Sequence, residues 1–217
     1  MISNSLGDMN KLLIATTNLG KFLEYREFFK DFPVELISLE NLNINTRIDE
    51  KEKTFEGNAV LKAKIYRDLS GFNTLSDDGG LEIDFLKKEP GVKSRRWPGY
   101  EANDQELVTM VLDKLKGVPI SRRGAQLKVV LAFAFPNVKK IYTFEASLKG
   151  FITEKPSKGI IPGYPFRSLF YLPDIGKTLG DISFEEEARI GHRKMALEKA
   201  MPVISKHLLF KKKGKRK

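Results

Sequence analysis

The chain has no cysteine and only two histidines among its 217 residues. Disulfides and thiolate metal sites are therefore excluded, and imidazole has little to supply. Any metal has to be held by oxygen, which points to a hard cation on carboxylates. No apolar run approaches the ~20 residues that span a bilayer. The opening MISNSLGDMNK lacks the basic-then-apolar form of a secretory leader. A cytoplasmic protein with no membrane segment is the expectation.

What is present suits a globular fold. The chain is 41% hydrophobic and 30% charged, enough for one domain, expected over residues 1–210, with ample core. The net charge is +10, and Lys211–Lys217 carries six of those charges. Such a like-charge run reads as a solvated, disordered end, with weak nucleic-acid contact as its other use. Without it the body is mildly basic, which suits a protein that handles polyanionic small molecules.

Chemistry concentrates in Leu75–Trp97, LSDDGGLEIDFLKKEPGVKSRRW. Asp77 and Asp78 stand side by side before Gly79 and Gly80, and two glycines favour a sharp turn. At a turn both carboxylates can face one cleft, which a regular strand forbids. Two carboxylates ~4 Å apart repel by roughly 4 kcal/mol at an effective dielectric near 20. A shared proton, a cation or a basic partner has to relieve this. Lys93, Arg95 and Arg96 add positive charge downstream. An acidic surface turn followed by a basic loop is the plain alternative.

Upstream, Lys11–Thr17 reads as a buried strand and Asn18–Lys21 as a turn. Phe22, Tyr25, Phe28, Phe29 and Phe32 then recur at helical spacing until Pro33. Helix N-termini bind phosphate through free N–H groups, and Thr16, Thr17, Asn18 and Lys21 can add side-chain donors. Equally, a threonine or the asparagine can simply cap the helix. Val34–Leu39 reads as a strand and residues 41–53 as an acidic loop. Thr54 caps a helix that ends at Gly71, on which Asn58 reaches into a site or faces water. Asn103–Glu106 opens another helix in capping-box style. Gln126–Phe135 and Lys140–Ile152 read as an antiparallel pair. Lys155–Pro173 is a long Gly- and Pro-rich loop ending in a short strand. Ser183–Glu186 caps the last helix, on which Arg189, His192 and Arg193 share a face by spacing.

Taken in order, these segments resemble the inosine triphosphate pyrophosphatase family. The resemblance rests on IATTNLGK (14–21), TFEGNAVLKAK (54–64), SDDGGLEID (76–84), PGVKSRRW (90–97), LFYLPDIGKT (169–178) and HRKMAL (192–197), with Gly163-Tyr164 between. It covers about residues 11 to 201. It implies an α/β fold with an elongated mixed sheet flanked by helices, in two lobes with a central nucleotide cleft. It also implies Mg²⁺-dependent cleavage of purine nucleoside triphosphates such as ITP, dITP and XTP to the monophosphate and pyrophosphate, and a homodimer. By the same resemblance, Thr16, Thr17, Asn18, Gly20 and Lys21 cradle the triphosphate. Asp78 is the general base with Asp77 beside it, and Asp49, Glu50 and Asp78 are the metal-binding acids. Gly79, Gly163, Tyr164, His192 and Arg193 contact substrate, the last two at the purine edge.

Three departures stand out. Gly79 replaces the family's serine, so a hydroxyl contact is expected to be lost. The Gly-Tyr-Asp-Pro motif becomes Gly163-Tyr164-Pro165-Phe166-Arg167-Ser168. In the last helix Glu187 takes the place of a lysine and Gly191 that of a serine. Arg167 or Arg189 is the candidate replacement for that lysine. A diverged nucleotide-binding protein with altered base preference or little turnover is the alternative.

Overall fold

A computed structural model of the chain describes residues 10–157 and 162–209. The basic run at 211–217 lies outside the described residues. The elements are β1 (Lys11–Ile14), α1 (Leu19–Phe29), β2 (Glu35–Ser38), α2 (Phe55–Ser70), β3 (Asn73–Ile83) and α3 (Asp104–Lys114). They continue with β4 (Gly124–Ala134), β5 (Tyr142–Ile152), β6 (Phe170–Leu172), β7 (Lys177–Thr178), α4 (Phe184–Ile190) and α5 (His192–Ile204). The strands form one mixed sheet in the order β2-β1-β3-β4-β5-β6-β7.

The chain clusters into two compact units. The first is Met1–Asp78, Val130–Phe144 and Arg193–Lys217, and the second is Gly79–Val129 and Glu145–His192. In the first, β1 is parallel to both β2 and β3, with Ile14 opposite Ser38 and Leu75. A strand flanked on both sides in a parallel sheet is apolar throughout, and Leu12, Leu13 and Ile14 are fully buried. Leu13, Ala15, Leu39 and Tyr66 pack together there. Helix α2 begins at Thr54, whose side chain accepts from the Gly57 N–H, and ends at Gly71 in the left-handed region. Glycine tolerates that φ without a Cβ penalty.

The second unit has its own core. Leu81 and Ile83 of β3 pack with Leu107, Val108 and Val111 of α3, and with Phe170 and Leu172 of β6. Buried Arg123 donates to the carbonyls of Leu115, Val118 and Thr153 at 2.8–3.0 Å. It thereby satisfies backbone acceptors past the ends of α3 and β5 that burial would otherwise leave unpaired. Arg95, one of the three cations downstream of the aspartates, pairs with Asp104 at 2.6 Å.

Two local expectations are corrected. Asp77–Gly80 do not turn: β3 runs straight through them, and neither glycine takes a positive φ. Gly79 answers a different need. A Cβ there would lie 2.3 Å from the Lys128 carbonyl oxygen of β4, so the glycine permits close approach of two backbones. The last helix is also not continuous. Gly191 is extended, at φ −72° and ψ 163°, and separates α4 from α5. Arg189 therefore lies exposed at the end of α4, while His192 and Arg193 are buried at the start of α5.

Candidate active site

The turn after β1 and the middle of β3 build the charged centre of the first unit. The Ala15 N–H donates to the Leu75 carbonyl at 2.8 Å. Thr16–Lys21 thus follows the carboxyl end of β1, and Asp77-Asp78 lie within β3 just past its parallel pairing with β1, near the usual place for a ligand in such sheets. Asn18 caps α1, accepting from the Lys21 N–H at 3.2 Å, and its own N–H donates to Thr16 Oγ1 at 3.1 Å. Gly20 lies in the first turn of the helix, and Thr17 is exposed.

Because β3 is extended, Asp77 and Asp78 project to opposite faces. Asp77 meets Lys21 Nζ at 3.0 Å and Arg193 Nε at 3.2 Å. Arg193 also donates to both carboxylate oxygens of Glu24 at 3.1 Å. Asp78 accepts from the Asn58 amide of α2 at 2.9 Å. One turn along α2, Lys62 Nζ lies 2.5 Å from Glu50. Asp77, Asp78, Glu24, Asn58, Lys62 and Arg193 are all buried.

The two aspartates have opposite electrostatics. Burial pushes the Asp77 carboxyl up, but Lys21, Arg193 and Lys62 outweigh it and hold it well below the usual carboxylate range. For Asp78 burial wins: with Glu50 adding repulsion, its pKa is raised despite Lys62, Lys21 and the Asn58 hydrogen bond. Burial lowers Lys62, yet Asp78, Glu50 and Asp77 together raise it above the ordinary lysine value. Neighbouring carboxyls pushed apart in this way are a recurring mark of functional sites.

Asp78 and Glu50 fit a hard divalent cation, since both offer oxygen alone and their repulsion is what a cation relieves. Asp49 is exposed and pairs with Lys51 at 2.9 Å. Among the described residues no group of three or more His, Asp or Glu is placed to hold a metal. Mg²⁺ does not require one, because it binds through one or two carboxylates plus substrate phosphates.

Gly163, Tyr164, His192 and Gly79 belong to the second unit. Gly163 has φ +84° and its N–H donates to Asp104 at 2.7 Å. The Tyr164 ring lies 5.3 Å from that of Phe184, and His192 is buried at the head of α5. Arg193 belongs to the first unit with the aspartates. Its guanidinium is held there by Asp77 and Glu24.

The sequence reading assigned no role to Glu24 or Lys62 and left Asn58 open between a site and water. The signal was present. Glu24 lies three residues from Lys21 on one helical face, within an aromatic stripe. Asn58, Lys62 and Tyr66 follow one another at four-residue spacing on the buried side of α2.

A model of the Ham1 family matches residues 12–203. The chain is 36% identical over 197 residues to a dITP/XTP pyrophosphatase of Desulforamulus reducens, covering 90% of this chain and 96% of that one. It is likewise 36% identical over 201 residues to the enzyme of that name from Caldanaerobacter subterraneus, covering 92% and 98%. Among solved structures, a HAM1 protein from Coxiella burnetii matches with a TM-score of 0.78 and 29% identity over 90% of this chain and 98% of that one. The Staphylococcus aureus Ham1 protein matches with a TM-score of 0.76 and 28% identity over the same shares. With the family model spanning nearly all of the described residues, the chain belongs to the Ham1 family.

Proposed function

We propose that the chain is a nucleoside triphosphate pyrophosphatase that hydrolyses non-standard purine nucleotides (dITP, ITP and XTP) to the monophosphate and pyrophosphate with Mg²⁺. The observation that carries this is the Asp77-Asp78 pair, one carboxyl neutralised by Lys21 and Arg193 and held low, its neighbour raised. Relatives bearing the name dITP/XTP pyrophosphatase support the substrate class.

In this reading the Thr16–Lys21 turn binds the triphosphate through the α1 N-terminus and the Lys21 ammonium. Asp77 fixes that ammonium. Glu50 and Asp78, with Asp49 as a further candidate, would hold the Mg²⁺. When bound, the cation neutralises phosphate charge that would otherwise repel the attacking oxygen. Asp78, oriented by Asn58, takes the proton of the attacking water. The water oxygen goes to phosphorus, the anhydride link between the α- and β-phosphates breaks, and pyrophosphate leaves. Gly79, Gly163, Tyr164, His192 and Arg193 contact the rest of the nucleotide. Residues 1–210 act as one domain, as a homodimer in the cytoplasm. No helix among the described residues is long and apolar enough to cross a membrane.

The test is pyrophosphate release from a nucleoside triphosphate panel with Mg²⁺, in parallel with Asp78→Asn. ITP and XTP should be cleaved in preference to ATP and GTP, and the mutant should lose about 10²–10⁴ in rate. Tight nucleotide binding without release would leave a binding protein instead.

A further inference from the structure

Among the described residues of the second unit, Arg167 in the loop before β6 and Glu187 on α4 form a buried ion pair. The side chains are 4% and 3% exposed. The guanidinium also donates to the Leu179 and Ile182 carbonyls at 2.8 and 3.0 Å. It lies 4.4 Å from the centre of the Phe184 ring and 5.9 Å from that of Tyr164. Gly191 completes the arrangement. Its N–H donates to the Glu187 carbonyl at 2.6 Å, and a Cβ there would lie 2.7 Å from that oxygen and 3.3 Å from Glu187 Cγ. The loop, Glu187 and the α4–α5 corner are therefore one interlocked piece. Tyr164 lies three residues from one end of the pair, and His192 directly follows Gly191.

We propose that Arg167 and Glu187 are positioning residues for purine recognition, clamping the Gly163–Ser168 loop to the α4–α5 corner so that Tyr164 and His192 keep a fixed spacing. A buried pair is weak as a source of stability but geometrically demanding, and the guanidinium fork fixes direction as well as charge. The pair neutralises itself, so it offers a base no net charge. Arg167 thus balances Glu187 rather than standing in for a free cation. The inference rests on the proposed reading of Tyr164 and His192 as base contacts.

The experiment measures kcat and KM for ITP and for UTP, which shares the triphosphate but not the purine. Glu187→Gln should raise KM for ITP about tenfold and leave both kcat values and the KM for UTP within about twofold. Gly191→Ala, which displaces Glu187, should act in the same direction. Should Glu187→Gln not fold, Arg167→Met with Glu187→Leu leaves no buried charge alone and should give the same split. Equal losses with ITP and UTP would reduce the pair to a fold element and overturn the proposal, as would an unchanged KM for ITP. A wild-type chain that does not favour ITP over UTP would instead defeat the proposed function, and this inference with it.

Discussion

The two units handle buried charge differently. In the first, Glu24, Arg193, Asp77 and Lys21 form an alternating chain of anions and cations, with Asp78, Lys62 and Glu50 as a second series on the other face of β3. In the second, Arg167 and Glu187 close on each other and on two backbone carbonyls. A chain of alternating charges spreads its neutralisation over several partners, so its members remain responsive to one more ion. A closed pair balances its charge within itself. The difference teaches that burial alone does not mark chemistry: in the first unit buried charges are shared among several partners, whereas in the second an arginine and a glutamate face each other.

The strongest way to break the comparison is to remove the cation that links two anions. Arg193→Met leaves Asp77 and Glu24 buried without their shared partner. It should cost about 3–5 kcal/mol, read as a lower urea midpoint. Removing both members of the Arg167–Glu187 pair together should cost far less, because no charge is stranded. A small loss for Arg193→Met would mean that the first unit is no more coupled than the second.

Gly79→Ser restores the residue expected from the family pattern. Its Cβ would meet the Lys128 carbonyl, so it should destabilise by about 1–3 kcal/mol. A variant as stable as wild type would show that β3 and β4 have room to part.

Acid titration separates the two aspartates. The Asp77 carboxyl is depressed from 3.8, so its stabilisation is present above that value and is lost as pH falls below it. Asp78 is raised, so its ionised form opposes folding, and protonation just above 3.8 should relieve this. Melting temperature measured in chelator should therefore rise slightly before it falls. Asp78→Asn should remove the rise and keep the fall. The smallest effect belongs to the helix start: Ser183→Ala removes the cap on the Glu186 N–H and should cost about 1 kcal/mol in thermal melts.

Much of the fold was legible because its signals are local. Thr54 and Gly71 bracket α2, Asn103 and Glu106 open α3, and the apolar β1 announces a central strand. The candidate site was legible as residue types in order, but its connections were not. Asp77-Asp78-Gly79-Gly80 was expected to turn, because glycine pairs ordinarily do. The backbone of β4 asks instead for a residue without Cβ at position 79. Arg189, His192 and Arg193 share a helical face by spacing, yet the extended backbone at Gly191 divides them.

The sequence by itself determined the chemical inventory: oxygen donors without thiols, a basic body, a strand–turn–helix start with Lys21, two adjacent aspartates and a late His-Arg pair. These follow from side-chain chemistry and short-range periodicity, which need no partner from elsewhere in the chain. Tertiary structure alone decided which charges meet. Arg193 reaches Asp77 across 116 positions and Glu24 across 169, while Arg167 meets Glu187 twenty positions away. Such pairings depend on how strands and helices are laid together. Burial raises both aspartates, and the cations that the fold brings to Asp77 are what hold that carboxyl low while its neighbour stays raised.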